Sequence, residues 1–150
     1  MRHQLTRILP YTPEQLFELV GDVERYPEFV PHLKSIKVWD KRIDATGLST
    51  LKAEAAVGFA LFQERFSTTV RRDRERLTIE VGLLSGPFHH LTNTWRFVPL
   101  RAGTEVDFFI DFAFRSRLLE AVLAANFHRA VERLISGFDA RARQLYGPPG

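Results

Sequence analysis

The hydrophobic period of this chain changes near residue 115, and that change constrains the fold more than any other feature. From about Leu33 to Phe114, apolar and polar residues alternate with a period of two, which is typical of half-buried strands. From residue 117 to residue 146, apolar residues recur every three or four positions, as they do along one face of an α-helix. The chain therefore predicts a sheet followed by a long C-terminal helix.

The alternating region is interrupted at places rich in glycine, proline or charged residues, as expected between the strands of consecutive hairpins. These breaks lie at residues 44–47, 58, 72–76, 86–87 and 101–103, and they divide the region into six strands. The last strand alternates most clearly, and its apolar face carries Val106, Phe108, Ile110, Phe112 and Phe114. The pattern predicts an antiparallel meander with one dry face.

The dry face needs a cover, which the C-terminal helix can supply. The apolar stripe of that helix comprises Leu119, Leu123, Phe127, Ala130, Leu134 and Phe138. With a rise of about 1.5 Å per residue, one continuous helix over residues 117 to 146 would be roughly 45 Å long, enough to cross the whole sheet.

Two short helices are predicted before the meander, after a short first strand. Thr12 is placed as an N-cap, Pro13 occupies the first helical position, and Gln15 can complete a capping box. Gly21 and Asp22 end that helix, and the prolines that follow allow only one further short turn. The predicted fold is therefore α+β, with a strongly curved antiparallel sheet of about seven strands that grips a long C-terminal helix.

Residues 1–146 are expected to form one domain, and residues 147–150 a short tail that cannot continue a helix. No stretch approaches the roughly 18 consecutive apolar residues of a transmembrane helix, and the first nine residues alternate like a strand. We therefore expect a cytoplasmic protein, with peripheral contact at the inner face of a bacterial membrane as the alternative.

Composition and charge exclude several classes of site. The net charge of +3 comes from arginines spread along the chain, which disfavours a DNA partner. The chain has no cysteine, so it has neither disulfides nor thiolate metal ligands. The histidines lack the spacing of a metal or hydrolase site, and no catalytic constellation is found; they are His3, His32, His89, His90 and His128. The prediction is a binding protein and not an enzyme, with no metal and no required cofactor.

The space between a curved sheet and one helix is the candidate binding site. Its aromatic face fits a pocket for a flat or isoprenoid ligand, but the same residues also fit a filled core, and the pattern leaves both open. The predicted ligand contacts are Phe62, Glu64, Phe66, Val81, Asn93, Trp95, Phe108, Phe112, Leu123 and Phe127. Apolar residues in predicted loops are candidates for the cavity mouth or for membrane contact, namely Tyr26, Phe29, Val30, Pro87 and Phe88.

Glu64 stands out because it lies between Phe62 and Phe66 on the predicted interior face. A carboxylate placed there needs a partner or a raised pKa. Contact with the polar head of a ligand, an ion pair with an arginine, and exposure near a strand end or bulge all remain open. Asn93 is the other candidate for contact with an oxygen-bearing head.

The stretch from Tyr11 to Pro31 is the most specific part of a family resemblance that covers nearly the whole chain. It reads Tyr11-x-Pro13-x-Gln15-Leu16-Phe17-x-Leu19-Val20-x-Asp22-Val23-x-x-Tyr26-Pro27-x-Phe29-Val30-Pro31. Further matching pieces are Val57-Gly58-Phe59 with Glu64, Gly86-Pro87-Phe88-x-x-Leu91-x-Asn93-x-Trp95-x-Phe97, Phe112-x-Phe114-x-Ser116-x-Leu118, and Phe138-x-x-Arg141 with Tyr146-Gly147. The chain resembles the coenzyme Q-binding proteins of the START-like (polyketide cyclase/dehydrase and lipid transport) superfamily, whose bacterial members include the ribosome association toxin.

The resemblance implies a helix-grip fold and the binding of ubiquinone or a related polyprenyl lipid, in support of respiratory electron transport as a carrier or chaperone. A second implied function is ribosome binding that blocks subunit association. A third is a cyclase-like enzyme of the same fold, which is disfavoured because no acid/base pair stands out on the inner face. The arginine-rich hairpin at residues 71–76 reads as a solvated loop, or as a contact for lipid headgroups or ribosomal RNA.

Overall fold

A computed structural model describes residues 1–59 and 61–148 of the chain. Its strands are β1 (Arg2–Leu9), β2 (Leu33–Ile43), β3 (Leu48–Phe59), β4 (Phe62–Asp73), β5 (Thr78–Ser85), β6 (Phe88–Leu100) and β7 (Gly103–Phe114). Its helices are α1 (Pro13–Gly21), a 3₁₀ helix (Val23–Glu28), α2 (Arg117–Ala124) and α3 (Phe127–Tyr146). The last two residues of the predicted tail, Pro149 and Gly150, lie outside the described residues.

The strands form one antiparallel sheet in the order β1-β7-β6-β5-β4-β3-β2. Strands β2 to β7 are the predicted six-stranded meander, in which each strand pairs with the next along the chain. The two short helices carry the chain from β1 across to β2, so β1 pairs with β7, with Leu5 opposite Phe108. The fold prediction is confirmed: a seven-stranded sheet curves around the C-terminal helical segment.

The break predicted at Gly58 is wrong by about two residues. Gly58 is still paired with Gln63 in the β3–β4 ladder, and its backbone N–H donates to the carbonyl of His32 at 2.9 Å. A Cβ at Gly58 would lie 2.6 Å from Cε of Lys34. The glycine therefore permits close approach of the Lys34 side chain and does not mark the turn.

Helix α1 begins as its sequence predicts. The Thr12 hydroxyl accepts the Gln15 backbone N–H at 3.1 Å, and the Gln15 side-chain oxygen accepts the Thr12 N–H at 3.0 Å. This reciprocal capping box satisfies two backbone donors at the helix start. The apolar face of α1 is buried against the sheet, where the rings of Phe17 and Phe97 meet edge to face at 6.4 Å.

The single C-terminal helix that the apolar stripe predicts is interrupted at Ala125 and Asn126. Helix α2 ends with the Asn126 N–H donating to the Leu123 carbonyl at 3.0 Å, and Asn126 has a φ of −130° and a ψ of 13°, outside the helical range. Asparagine favours helix ends because its side chain competes for backbone hydrogen bonds. Apolar residues recur every three or four positions both before and after the break, so the periodicity does not reveal the break. Helix α3 alone, with 20 residues, is about 30 Å long.

The main core fills the space between the sheet and the C-terminal half of α3. Phe138 and Ala142 are 3% and 0% exposed there, and the Phe138 ring meets Trp95 edge to face at 5.2 Å. Phe97 and Phe108 complete this cluster from the sheet side. The C-terminal half of α3 is therefore closely packed, and the open space lies elsewhere along the helix.

Candidate functional site

A cavity of about 600 Å³ lies between the sheet, helix α2 and the N-terminal half of α3. Its walls come from β3, β4, β6, β7, both C-terminal helices and the loop that follows the 3₁₀ helix. The lining residues are Val30, Pro31, His32, Val57, Phe62, Glu64, Phe66, Pro87, Phe88, Leu91, Phe108, Ile110, Phe112, Phe114, Leu119, Leu123, Asn126, Phe127, Arg129, Ala130, Val131, Arg133 and Leu134.

The inner wall is aromatic because successive odd or even positions of a strand face the same way. Phe112 meets Phe127 edge to face at 5.2 Å, and Phe88 stacks on Phe114 at 4.7 Å. These rings hold one another in place and leave the central space unfilled. The wall is thus preformed and apolar.

Gly86 allows the β5–β6 hairpin to close one side of the cavity. Its φ is 145°, a backbone conformation that residues with a side chain rarely adopt, and a Cβ there would lie 2.5 Å from Cβ of Phe66. Phe66 and Phe88 are consequently able to meet edge to face at 5.3 Å.

The exposed members of the lining show where the cavity opens. They lie on the loop after the 3₁₀ helix and on the first turns of α3, and we call this set the mouth: Pro31, His32, Asn126, Arg129, Ala130 and Arg133. The buried members lie on the opposite side of the space, among them Phe88, Phe108 and Phe112. The cavity therefore has an aromatic floor and a polar, positively charged opening.

Glu64 is the one carboxylate among the described residues of the lining, and it is half-buried. Within residues 1–59 and 61–148 it forms no hydrogen bond or ion pair, so the predicted alternative of an arginine partner is not realised. Arg65, its neighbour in sequence, instead reaches Glu54 at 3.3 Å. Glu64 remains available to a polar group inside the cavity.

Ten of the predicted site residues line the cavity. They are Phe62, Glu64, Phe66, Phe108, Phe112, Leu123 and Phe127, together with Val30, Pro87 and Phe88 from the predicted mouth. Their contact with a ligand stays a prediction.

Val81, Asn93 and Trp95 lie outside the lining, contrary to the sequence-based expectation. The Trp95 indole N–H donates to Oδ1 of Asn93 at 2.9 Å, and Nδ2 of Asn93 donates to the Phe109 carbonyl at 2.8 Å. The Trp95 indole N–H and both polar atoms of the Asn93 side chain therefore find their hydrogen-bond partners within the sheet. A period of two indicates which face a residue lies on, but not whether that part of the face meets the packed or the open part of the helix.

Tyr26 and Phe29 were expected at the mouth and instead belong to the packed end. Both rings meet Phe138 edge to face, at 5.4 and 5.2 Å, and the Tyr26 hydroxyl donates to the Val20 carbonyl. Burial raises the pKa of the Tyr26 hydroxyl. These two side chains therefore fold back onto the core, whereas Val30, Pro87 and Phe88 line the cavity.

The sequence-based prediction missed the polar members of the mouth as well as apolar lining residues such as Val57, Leu91 and Ile110. Arg129 and Arg133 are spaced i, i+4 and flank the apolar stripe residue Ala130, so both edge the stripe. That spacing was the available signal, but an arginine beside an apolar stripe is also the ordinary border of an amphipathic helix.

A second crevice, of about 540 Å³, lies at the packed end and differs in chemistry. Its cations have partners: Arg141 reaches Glu28 at 2.6 Å, and Arg72 donates to the Gly21 carbonyl at 2.8 Å. Arg141 holds the pKa of Glu28 below its usual value. These two contacts join α3 to the 3₁₀ helix and β4 to the end of α1.

Similarity to known proteins agrees with the architecture described above. The profile of the family described as polyketide cyclase/dehydrase and lipid transport matches residues 9–139. The chain belongs to this family. A START superfamily protein from Mycobacterium smegmatis has the same fold, with a TM-score of 0.79 at 19% identity over 96% of this chain and 98% of that chain.

Two relatives that match nearly the whole of this chain carry different names. The ribosome association toxin RatA of Rickettsia prowazekii is 33% identical over 145 residues, 95% of this chain and 96% of that protein. The mitochondrial coenzyme Q-binding protein COQ10 homolog B of Xenopus laevis is 28% identical over 146 residues, 95% of this chain and 58% of that protein. The solution structure of the 18 kDa protein CC1736 from Caulobacter crescentus is 53% identical, with a TM-score of 0.83 and 99% of both chains covered.

Two further observations concern membrane-spanning helices and metal ligands. Among residues 1–59 and 61–148, no helix combines the length and the apolar content needed to cross a bilayer. In the same residues, no three side chains of histidine, aspartate or glutamate come together as metal ligands.

Proposed function

We propose that this protein is a non-enzymatic carrier or chaperone for an isoprenoid lipid, with ubiquinone as the first candidate. The aromatic cavity between the sheet and the N-terminal half of α3 is the observation that carries the proposal. Its volume of about 600 Å³ falls within the usual range of ligand pockets, about 300 to 1,000 Å³. The name of the Xenopus laevis relative supports a quinone as the ligand.

Burial of the isoprenoid tail supplies the affinity in this proposal. Covering roughly 200 Å² of lipid carbon at about 25 cal/mol per Å² contributes about 5 kcal/mol. Ordering the protein and ligand offsets part of that gain, so a preformed aromatic wall helps by reducing the ordering cost. The half-buried carboxylate of Glu64 is placed to meet a polar atom of the ligand.

An uptake experiment with a blocked mouth tests the proposal. Ala130 is exposed and lines the cavity, so Ala130→Trp should fill the opening, whereas Ala140→Trp adds the same ring to an exposed position of α3 outside the lining. Titration of each purified protein with a short-chain ubiquinone should give saturable uptake by the wild type and by Ala140→Trp, and at least about tenfold weaker uptake by Ala130→Trp. Absence of saturable uptake by the wild type would remove the proposal.

Ribosome binding is the second candidate function, and the 33% identity with a ribosome association toxin across almost the full length of both chains favours it. Three exposed arginines on the β4–β5 hairpin are available for phosphate contacts: Arg71, Arg74 and Arg76. Two of them also have carboxylate partners, since Arg74 pairs with Glu18 and Arg76 lies 3.9 Å from Asp73. Sucrose-gradient profiles after overexpression test this function. Unchanged proportions of 70S, 50S and 30S particles would remove it.

A cyclase-like activity is the weakest of the three candidates. Acid–base catalysis needs titratable groups within hydrogen-bond reach of the reacting atoms. In the described lining the carboxylate of Glu64 is half-buried on β4, while the imidazole of His32 is exposed at the mouth. A binding role requires no such pair, so the lining favours the carrier.

A further inference from the structure

The two arginines of the mouth have no partner among the described residues of the protein. Arg129 and Arg133 line the cavity, both are exposed, and neither donates a hydrogen bond nor forms an ion pair with any residue in 1–59 or 61–148. They lie one turn apart on α3, where two like charges repel each other and disfavour the helix. The fold therefore keeps two guanidinium groups together without an internal counter-charge.

The nearest acidic residue along the helix does not neutralise them. Glu132 lies between the two arginines in sequence but contacts Arg7 of β1 at 2.5 Å. Arg7 also holds the pKa of Glu132 below its usual value, so this carboxylate is ionised and already paired. Toward the far end of the same helix, Arg141 has Glu28 as its partner, whereas the exposed Arg143 forms no ion pair with the described residues. What distinguishes Arg129 and Arg133 is that both are unpaired and both line the cavity.

The other described residues of the mouth add no negative charge. Asn126 uses its side chain for no capping bond at the start of α3, which leaves an amide donor beside the opening. Glu64, the carboxylate of the lining, is half-buried on β4 and is not among the exposed residues of the mouth. The opening is positive and rich in donors, whereas the floor is aromatic and apolar.

We infer that the mouth binds the anionic head, a phosphate or a carboxylate, of an amphiphile whose apolar tail occupies the cavity. Guanidinium groups bind such oxyanions through paired, charge-assisted hydrogen bonds. A neutral quinone head makes no use of this charge, so the inference adds acid-headed isoprenoid lipids to the ligands of the proposed carrier. It rests on the proposed function in one respect, namely that the cavity holds the tail.

Ligands that share a farnesyl tail but differ in their head group test directly whether the mouth binds an anionic head. Wild-type protein is titrated calorimetrically with farnesyl phosphate, with farnesol and with inorganic phosphate, each at concentrations where the probe is monomeric. Farnesyl phosphate should bind about ten- to a hundredfold more tightly than farnesol, the range expected for charge-assisted hydrogen bonds. Inorganic phosphate, which lacks a tail, should bind far more weakly than farnesyl phosphate.

Two double variants that each remove two positive charges test whether the arginines of the mouth cause the preference for farnesyl phosphate. The double variant Arg129→Gln with Arg133→Gln should lose the preference for farnesyl phosphate while keeping its affinity for farnesol. The control is Arg96→Gln with Arg101→Gln, two exposed positions on β6 and the β6–β7 turn, outside the lining. This control should retain the preference, because it removes the same net charge at a distance from the opening.

Three results would overturn the inference, and they differ in meaning. Equal binding of farnesyl phosphate and farnesol would overturn it and leave the carrier function standing. No uptake of either probe would overturn both. If Arg129 and Arg133 mattered only for binding to vesicles containing phosphatidylglycerol, the arginines would contact a membrane surface and not the head of the cavity ligand.

Discussion

The two ends of α3 face the same sheet but meet it differently. At the C-terminal end, Phe138 and Ala142 are almost fully buried and the rings of Tyr26, Phe29 and Trp95 surround Phe138. At the N-terminal end, Phe127 contacts Phe112 at the edge of an unfilled space. One end stabilises the fold, and the other leaves room for a ligand.

The difference arises from what the chain places against each end. Helix α1, the 3₁₀ helix and the loop after it supply additional apolar side chains at the packed end. At the open end the helical segment is interrupted at Ala125 and Asn126, and the loop residues Pro31 and His32 remain exposed. A helix-grip sheet alone is therefore insufficient to fill its own concave face.

The largest expected effect is at the packed end. Phe138→Ala should lower the free energy of unfolding by about 3 to 5 kcal/mol, because it removes a buried ring and leaves a cavity among close neighbours. Denaturant-induced unfolding measures the change. A loss under about 1 kcal/mol would mean that this end is not the packed one.

Leu123→Ala is the corresponding truncation on the open side, in helix α2 beside the N-terminal end of α3. Leu123 lines the cavity and is only half-buried, so the loss in unfolding free energy should stay below about 2 kcal/mol, beneath the range for buried leucine. Uptake of a short-chain ubiquinone should change in this variant but not in folded Phe138→Ala. Equal destabilisation by the two truncations would erase the distinction between the ends.

The ionisation of Tyr26 tests the burial of the packed end through the pH dependence of stability. Its pKa is raised in the folded state by burial, so the unfolded tyrosine ionises near pH 10 while the folded one stays neutral, and stability is lost as pH rises above about 10. The difference in unfolding free energy between wild type and Tyr26→Phe should therefore shrink by about 1.4 kcal/mol between pH 9 and pH 11. A pH-independent difference would show that the Tyr26 hydroxyl is solvated.

The smallest expected effect concerns the helix break. Asn126→Ala should change stability by less than about 1 kcal/mol, because alanine improves helix propensity but removes no capping bond. Hydrogen exchange of the amides at residues 125–130 would report whether the break persists. A larger loss would show that the Asn126 side chain holds α2 and α3 apart.

Local signals predicted much of this fold. Thr12 and Gln15 form the capping box that their spacing indicates, and the alternation from Val106 to Phe114 identifies the inner face of β7. These features depend on neighbours within a few residues, which a sequence displays directly.

The candidate site was only partly predictable, because its boundaries depend on distant contacts. Trp95 and Phe112 share one face of the sheet, yet Trp95 meets Phe138 and Phe112 meets Phe127. Nothing in the local pattern around either strand distinguishes the two ends of the helix. The mouth arginines were missed for the same reason, since their lack of partners appears only when Glu132 is seen to pair with Arg7.

Contacts between a bound lipid and the protein test the central claim most directly. Nuclear Overhauser effects are measured between the isoprene protons of a short-chain ubiquinone and the side chains of uniformly labelled wild-type protein. The account predicts contacts with Leu123, Phe112 and Phe127 and none with Phe138 or Ala142. Contacts at the packed end, or a bound lipid that touches neither end of the concave face, would contradict it.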